Sequence, residues 1–269
     1  MIKPFPKSLC QSRKRMTIAI GIMATDGIIM GADSEESTPS LKSSQQKMLP
    51  IFLGVNTGNN PDPPAGVVVI TGAGDGGYIE AATEELTDVF CDPSLHGRAL
   101  QRALRERLKV FYRDHVIPFA TFPEEDRPAI QLLMGVQKRH GHDLLITDKS
   151  TIRSVRPYGT VGIGGYFAKI ILDALWKPAP AKEMSLLAVY VLMMVKDHIP
   201  HCGKFSSVMT LHHSIVQDNP SGGGSMIVAP PRAMTQMDAK KIFDLEMLFS
   251  GEYSERERSA LWDFITTHS

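Results

Sequence analysis

The sequence predicts an α+β protein in which two antiparallel sheets stack face to face between two layers of helices. Three observations predict it. The signals come in blocks (strands, two helices, strands, two helices, strands), not in the βαβ alternation that builds a parallel sheet. The early strands come as a hairpin, marked by Asp26-Gly27 between two Ile- and Ala-rich runs. The breaker Lys177–Ala181, KPAPA, divides the later helical stretch into a pair.

The hairpin strands are Thr17–Met23 and Ile28–Ala32, joined by Thr25-Asp26-Gly27. A polar loop, Ser34–Gln46, leads to a second hairpin of Lys47–Val55 and Val67–Thr71. The stretch between its strands, NTGNNPDPPAG, is rich in Asn, Pro and Gly and reads as an exposed loop. Asp75 is placed to cap a helix running to about Phe90. A second helix spans about Ser94 to His115, with Leu100, Leu104, Leu108, Phe111 and His115 on one face. Strands follow at Ala129–Gln137, Asp143–Thr147, Ile152–Pro157 and Thr160–Gly162. The next helix pair is Tyr166–Trp176 and Glu183–His198. Two more strands, Phe205–His212 and Ser225–Ala229, precede a helical tail of Asp238–Phe249 and Glu255–Ile265. There is no internal repeat.

Composition narrows the function classes. The chain has 269 residues and a formal net charge of zero, with Lys and Arg scattered, so bulk attraction to nucleic acid or to an anionic membrane is not expected. The three cysteines, Cys10, Cys91 and Cys202, show no CxxC spacing; an odd number without such spacing points to a reducing, cytoplasmic setting. The apolar run Leu186–Val195 is shorter than the roughly 18–20 residues of a membrane helix, and reads as a buried core helix. Residues 1–16 differ from the rest. The first fifteen carry five basic residues, two prolines and no acid, and lack the apolar stretch of a secretory signal. They read as a basic arm, a removable pro-segment, or sequence upstream of a start at Met16. Residues 17–269 read as one domain.

Three constellations are candidates for chemistry. Gly72-Ala73-Gly74-Asp75-Gly76-Gly77 satisfies G-x-G-x-x-G after a strand and before a helix, as a dinucleotide site does. A second long helix follows where that fold requires a parallel strand, so a tight strand-to-helix turn is the competing reading. Asp197, His198, His201 and Cys202 have metal-ligand residue types, with His212 and His213 the nearby candidates to complete a set; a polar helix end is the alternative, and no metal or cofactor is expected. The third constellation is Thr17, Asp33 and Lys47. A threonine at a chain terminus carries its own base, because a free α-amine titrates near about 8. A lysine ammonium beside it favours the neutral amine and the alkoxide, and an aspartate keeps that lysine charged and oriented. A glycine turn such as the one at Gly72 supplies backbone N–H groups for an oxyanion. The bland alternative is a pair of strand residues with a surface ion pair.

At these residues the sequence resembles the proteasome family of N-terminal nucleophile (Ntn) hydrolases. Thr17, Asp26-Gly27 and Ala32-Asp33-Ser34 match the family's opening threonine, turn and A-D-S strand end without a gap. Lys47-Met48-Leu49-Pro50-Ile51 matches its lysine strand after a slightly short loop, and Gly72 in TGAGD its oxyanion glycine. The resemblance is specific over Thr17–Asp75, architectural to about Ala229, and says nothing of the tail. It implies the four-layer αββα Ntn-hydrolase fold and threonine-type peptidase or amidohydrolase activity. In that activity Thr17 is the nucleophile, Asp33 and Lys47 its partners, and Gly72 N–H the oxyanion donor. Ile70 would face the pocket for the substrate side chain, and Ser206 would act as a supporting hydroxyl. It also implies a ring-like homo-oligomer, a peptide or unfolded-protein substrate, and room for an ATP-dependent unfoldase as partner. Three departures stand out. Met16, not Gly, precedes the threonine. Ile163 occupies the position of a serine in Gly162-Ile163-Gly164-Gly165. Gly203 occupies the position of an aspartate in Gly203-Lys204-Phe205-Ser206. They keep a second reading alive, a non-catalytic shell or scaffold subunit of the same fold.

Overall fold

The computed structural model describes residues 17–37, 42–44, 47–54, 66–123, 127–138, 141–199, 202–203, 205–213, 215–218, 225–228 and 233–250. In chain order the strands before the first helix are β1 (Ile18–Met23), β2 (Gly27–Asp33), β3 (Glu35–Ser37), β4 (Lys42–Ser44), β5 (Leu49–Leu53) and β6 (Gly66–Gly74). Helices α1 (Gly76–Cys91) and α2 (Gly97–Phe111) follow, then β7 (Ile130–Lys138), β8 (Gly141–Asp148), β9 (Thr151–Ser154) and β10 (Tyr158–Gly162). Next come α3 (Gly165–Leu175) and α4 (Ala181–His198), then β11 (Ser206–His212), β12 (Ile215–Asp218), β13 (Ser225–Val228), β14 (Met234–Gln236) and α5 (Ala239–Phe249).

Two five-stranded antiparallel sheets form the centre, in the orders β10-β1-β2-β11-β14 and β5-β6-β7-β8-β9. Three apolar clusters define the layers. Ala19, Met30, Val69, Leu133 and Met209 pack between the two sheets. Ile18, Ile20, Leu172, Leu192 and Val208 pack between the first sheet and α3, α4 and α5. Val68, Ile70, Leu86, Leu104 and Phe111 pack between the second sheet and α1 and α2. Because both faces of the first sheet are covered, β1 and β2 are buried along their whole lengths. This is why they read as continuous apolar runs and not as alternating ones. Burial of α4 is nearly all-round for the same reason, with Leu186–Val195 in its middle.

The turn of the first hairpin does more than reverse the chain. Asp26 Oδ1 accepts the backbone N–H of Ala181 at 2.6 Å, so the acid of the Asp-Gly turn satisfies a donor at the open N-terminal end of α4. This contact spans the 155 residues between Asp26 and Ala181 and leaves no local signature.

Some expected boundaries move. The second helix ends as α at Phe111 and continues as a wide turn, Tyr112–Val116, then a tight one, Ile117–Phe119. His115 is therefore exposed, its ring stacked on Phe111 at 4.9 Å, and is not a fifth member of the buried stripe. Pro118 explains the break. The polar loop after β2 holds the ribbon β3–β4, and β12 and β14 form in stretches without a strand signal in the sequence. Residues 1–16 and the expected helix at 255–265 lie outside the described residues.

Candidate active site

Thr17, Asp33 and Lys47 meet at one end of the sandwich. Thr17 leads into β1, Asp33 ends β2 beside it, and Lys47 stands just ahead of β5 in the other sheet. The antiparallel hairpin brings Thr17 and Asp33 together, and the stacking of the sheets brings Lys47 across to both. Thr17 Oγ1 donates to Asp33 Oδ1 at 2.5 Å. Lys47 Nζ donates to the same Asp33 oxygen at 2.8 Å and also to Thr17 Oγ1. The backbone N–H of Ile18 donates to Asp33 Oδ1 at 3.3 Å, and that of Gly203 to Asp33 Oδ2 at 3.1 Å. Asp33 is 1% exposed and Thr17 4%. A carboxylate so deeply buried is stable only with this number of donors. The threonine oxygen thus accepts from an ammonium, which favours negative charge on it, while the carboxylate accepts its proton and holds the ammonium in place. In the full chain the nitrogen of Thr17 is the peptide nitrogen joined to Met16.

The neighbouring strand ends complete the row. Gly162, at the end of β10, pairs with Ile18 and holds φ +90°; a Cβ there would fall 2.1 Å from the Thr17 carbonyl oxygen. Only glycine lets β10 approach the threonine this closely. Ile163 follows in the turn to α3 and is 49% exposed.

Gly72 lies within β6, opposite Leu132, and does not begin the helix. Leu132 N donates sideways to Thr147 Oγ1, and Asp75 N, three residues on from Gly72, bonds back to Ala129 O. By the alternation of an antiparallel ladder, Gly72 N–H then points away from β7. It points to the side of β5, two residues past the Leu49–Ile70 pair and level with Lys47. Ile70 is fully buried with Val68 in the cluster under α1 and α2, because residues 68 and 70 share the helix-facing side of β6. Ser206 lies opposite Asp33 in the β2–β11 register, yet its hydroxyl donates to Glu246 on α5 at 2.5 Å. Lys196 of α4 donates to the same carboxylate. The side chain points into the helical layer, as Val208 does two residues on. Glu246 and Lys196 had no signal in the sequence, being brought to Ser206 from other elements.

The other two constellations resolve differently. Around Gly72–Gly77 the strand that follows the helix pair, β7, runs antiparallel to β6 and beside it, so the parallel unit of a dinucleotide site is absent here. Gly74 holds φ +118°, and a Cβ would meet Ala129 O at 1.9 Å; the glycine serves the strand-to-helix turn. His198 Nδ1 bonds Met194 O on its own helix, Cys202 is buried in the apolar cluster of the first sheet, and His201 lies outside the described residues. Among the described residues no three His, Cys, Asp or Glu side chains converge as a metal site would require. His212 bonds Thr235, and His213 stacks on His142 with centroids 3.7 Å apart.

The fold these elements define is an α+β sandwich of two antiparallel sheets flanked by helices, and solved proteins share it over nearly the whole chain. The Anbu complex from Pseudomonas aeruginosa, described as a helical assembly, superposes with a TM-score of 0.62 at 13% identity, over 93% of this chain and 96% of its own. Anbu from Hyphomicrobium sp. strain MC1 gives 0.62 at 14% identity, over 91% of this chain and 97% of its own. Anbu, an ancestral beta-subunit, from Yersinia bercovieri gives 0.60 at 15%, over 86% and 92%. No protein-family model and no curated protein matches the chain.

Proposed function

We propose that this protein is a threonine-type N-terminal nucleophile hydrolase of the proteasome-like kind, cleaving peptide bonds or another amide once its chain begins at Thr17. The observation that carries this reading is the buried Thr17–Asp33–Lys47 triangle, in which one hydroxyl meets both an ammonium and a carboxylate. In the reaction, Thr17 Oγ1 attacks the amide carbonyl and the freed α-amine of Thr17 takes its proton. Lys47 stabilises the oxygen as charge builds on it, and Asp33 holds Lys47 in place. Gly72 N–H serves the oxyanion. The amine then returns the proton to the leaving nitrogen, and water releases the acyl group from Thr17. Self-association belongs to this reading. The Anbu structures, one of them a helical assembly, support it, as does an exposed apolar stripe on α3 and the turn before it: Ile163, Tyr166 (77% exposed) and Ile170.

Two observations keep the second reading, a shell subunit without activity. Ile163 cannot move a proton, and Ser206 is held by Glu246. One experiment separates the two. Protein purified from its native host is weighed intact and then treated with a peptide epoxyketone, which closes a ring only on an adjacent hydroxyl and free amine. A mass beginning at Thr17 and a single adduct, absent in Thr17→Ala, supports the hydrolase. A chain retaining Met16 with no adduct leaves the shell subunit.

A further inference from the structure

The turn between β10 and α3 wraps the end of β1 at which Thr17 stands. At Gly162 it lies between the sheets, where an added Cβ would come within 3.2 Å of Ala73 Cβ. At Gly164 it lies on the helix side, where an added Cβ would press on Val195 Cγ1 and lie 3.3 Å from Cys202 Sγ. Both glycines also adjoin β1, Gly162 at the Thr17 carbonyl oxygen and Gly164 at Ile18 Cβ. Ile163 is the apex between them, and the Ile18–Gly162 pairing sets it level with Thr17. The turn is held on either side of this apex: Gly162 N–H donates to Gln131 Oε1 at 3.4 Å, and Thr160 Oγ1 donates to Gly165 O at 2.9 Å. The nitrogen of Thr17 is directed to this turn. Along an extended strand the N–H and C=O of one residue point to the same neighbour, and those of the next residue to the other. Ile18 N–H points to β2, where it meets Asp33 Oδ1, and the Thr17 carbonyl oxygen points to Gly162 on β10. Thr17 N therefore points to the β10 side as well, level with Ile163.

From this geometry we infer that Ile163 is the apolar flank of the freed Thr17 α-amine and keeps that amine in its neutral, proton-accepting form, an inference that rests on the hydrolase reading above. An amine that takes the hydroxyl proton works only while it is unprotonated, and ordinarily it titrates near about 8. A branched hydrocarbon beside it displaces water from the ammonium form and disfavours that form. It also offers no oxygen to which an ammonium could donate. A hydroxyl at this apex would do the reverse, accepting from the ammonium and favouring it. Ile163 thus acts through the amine and moves no proton itself. The titratable groups near the amine come from several elements. Asp33 and Lys47 meet the threonine from β2 and from the lead into β5. Asp75 follows β6, and Tyr166 opens α3. Lys196 and Glu246 pair in the helical layer, Asp197 and His198 end α4, and Cys202 lies under Gly164. All are common to every variant at residue 163, so a comparison of variants reads that position alone.

The test compares the wild type with Ile163→Val and Ile163→Thr, which differ from each other only by a methyl against a hydroxyl. Each protein is purified from the native host and weighed. The rate of peptide epoxyketone labelling at Thr17 is followed from about pH 5 to about pH 9. The α-amine itself is titrated in parallel by its acylation with acetic anhydride, read by mass on the N-terminal peptide. In both measurements the wild type and Ile163→Val should share a midpoint below the ordinary value near about 8, with Ile163→Thr about one unit higher. Ile163→Ser, a second variant, should shift the same way. Because Ile163 is about half exposed, thermal melts should show every variant folded. Equal midpoints, or a lower one with the hydroxyl, sink the role of Ile163 and leave the hydrolase standing. A free α-amine with no labelling at any pH sinks the hydrolase, and the anhydride titration still reads Ile163. A chain that retains Met16 has no α-amine at Thr17 and sinks both.

Discussion

Asp33 is the residue on which the candidate site turns, because four donors converge on its two oxygens. Replacing it by Ala leaves Lys47, 13% exposed, facing a hole where its carboxylate stood. Removing one partner of a buried pair costs about 3–5 kcal/mol, and urea unfolding of Asp33→Ala against the wild type measures it. Thr17→Ala is expected to behave oppositely. It deletes the proposed nucleophile but leaves Lys47, Ile18 N–H and Gly203 N–H on the aspartate, so stability should change little while epoxyketone labelling is lost. Gly162→Ala should injure the site without touching a polar group, since the added methyl would press on the Thr17 carbonyl from a φ of +90°. A loss above about 1 kcal/mol is expected. At this scale the sequence was legible wherever chemistry follows from residue type and short spacing. Thr17 and Asp33 sit at the head and end of strands that pair as the Asp26-Gly27 turn dictates, and Lys47 stands at the head of β5. It was not legible for Ser206, because which way that hydroxyl turns depends on Glu246, 40 residues later.

Individual elements are tied to one another by long contacts, and these carry their own predictions. Asp26→Ala removes the acceptor at the start of α4 and should cost about 1 kcal/mol by urea unfolding. At the β1–β2 turn end of the sandwich, burial first and then His142 push His213 down to about 4, from an ordinary value of 6.5. His142 itself is lowered by burial and by Arg156. Asp26 pulls His213 the other way, and His212 reinforces the lowering. Between pH 6.5 and about 4 the unfolded chain takes a proton at this position that the folded chain declines. Stability from this pair is thus complete above pH 6.5 and declines as pH falls through that window. His213 is only half-buried, so solvent screens part of the effect. His213→Gln should flatten the decline in urea titrations taken from about pH 7 to pH 4.5; an unchanged slope would put the sensitivity elsewhere. Elements marked by a cap, a turn or a long apolar run, α1, α4 and the first hairpin, were legible to within a few residues. The end of α2 was not, because a continuous apolar spacing through His115 hides the change of helix type that Pro118 imposes.

For the whole molecule the prediction concerns mass. A chain that works inside an assembly should purify at several times the mass of one chain, which is 29.6 kDa for all 269 residues and less once it begins at Thr17, and light scattering at micromolar concentration reads this directly. A monomer would remove the shelter that the proposed hydrolase needs around its nucleophile. The layered architecture was legible from block order, since strands and helices segregated in sequence segregate in space.

By itself, the sequence determined much of the local chemistry of this protein: the main strand and helix runs, and which threonine, aspartate and lysine stand at their ends. Those are properties of short stretches, set by periodicity, turn residues and side-chain type. Only the tertiary structure decided that Gly203 N–H completes the shell of Asp33, that Ser206 belongs to Glu246 and Lys196, and that Ile70 faces the helices. It also decided that Asp26 caps α4. Each of these depends on the direction of one polar or apolar group towards a partner far along the chain. That direction is settled only when the two sheets stack and the helices close over them.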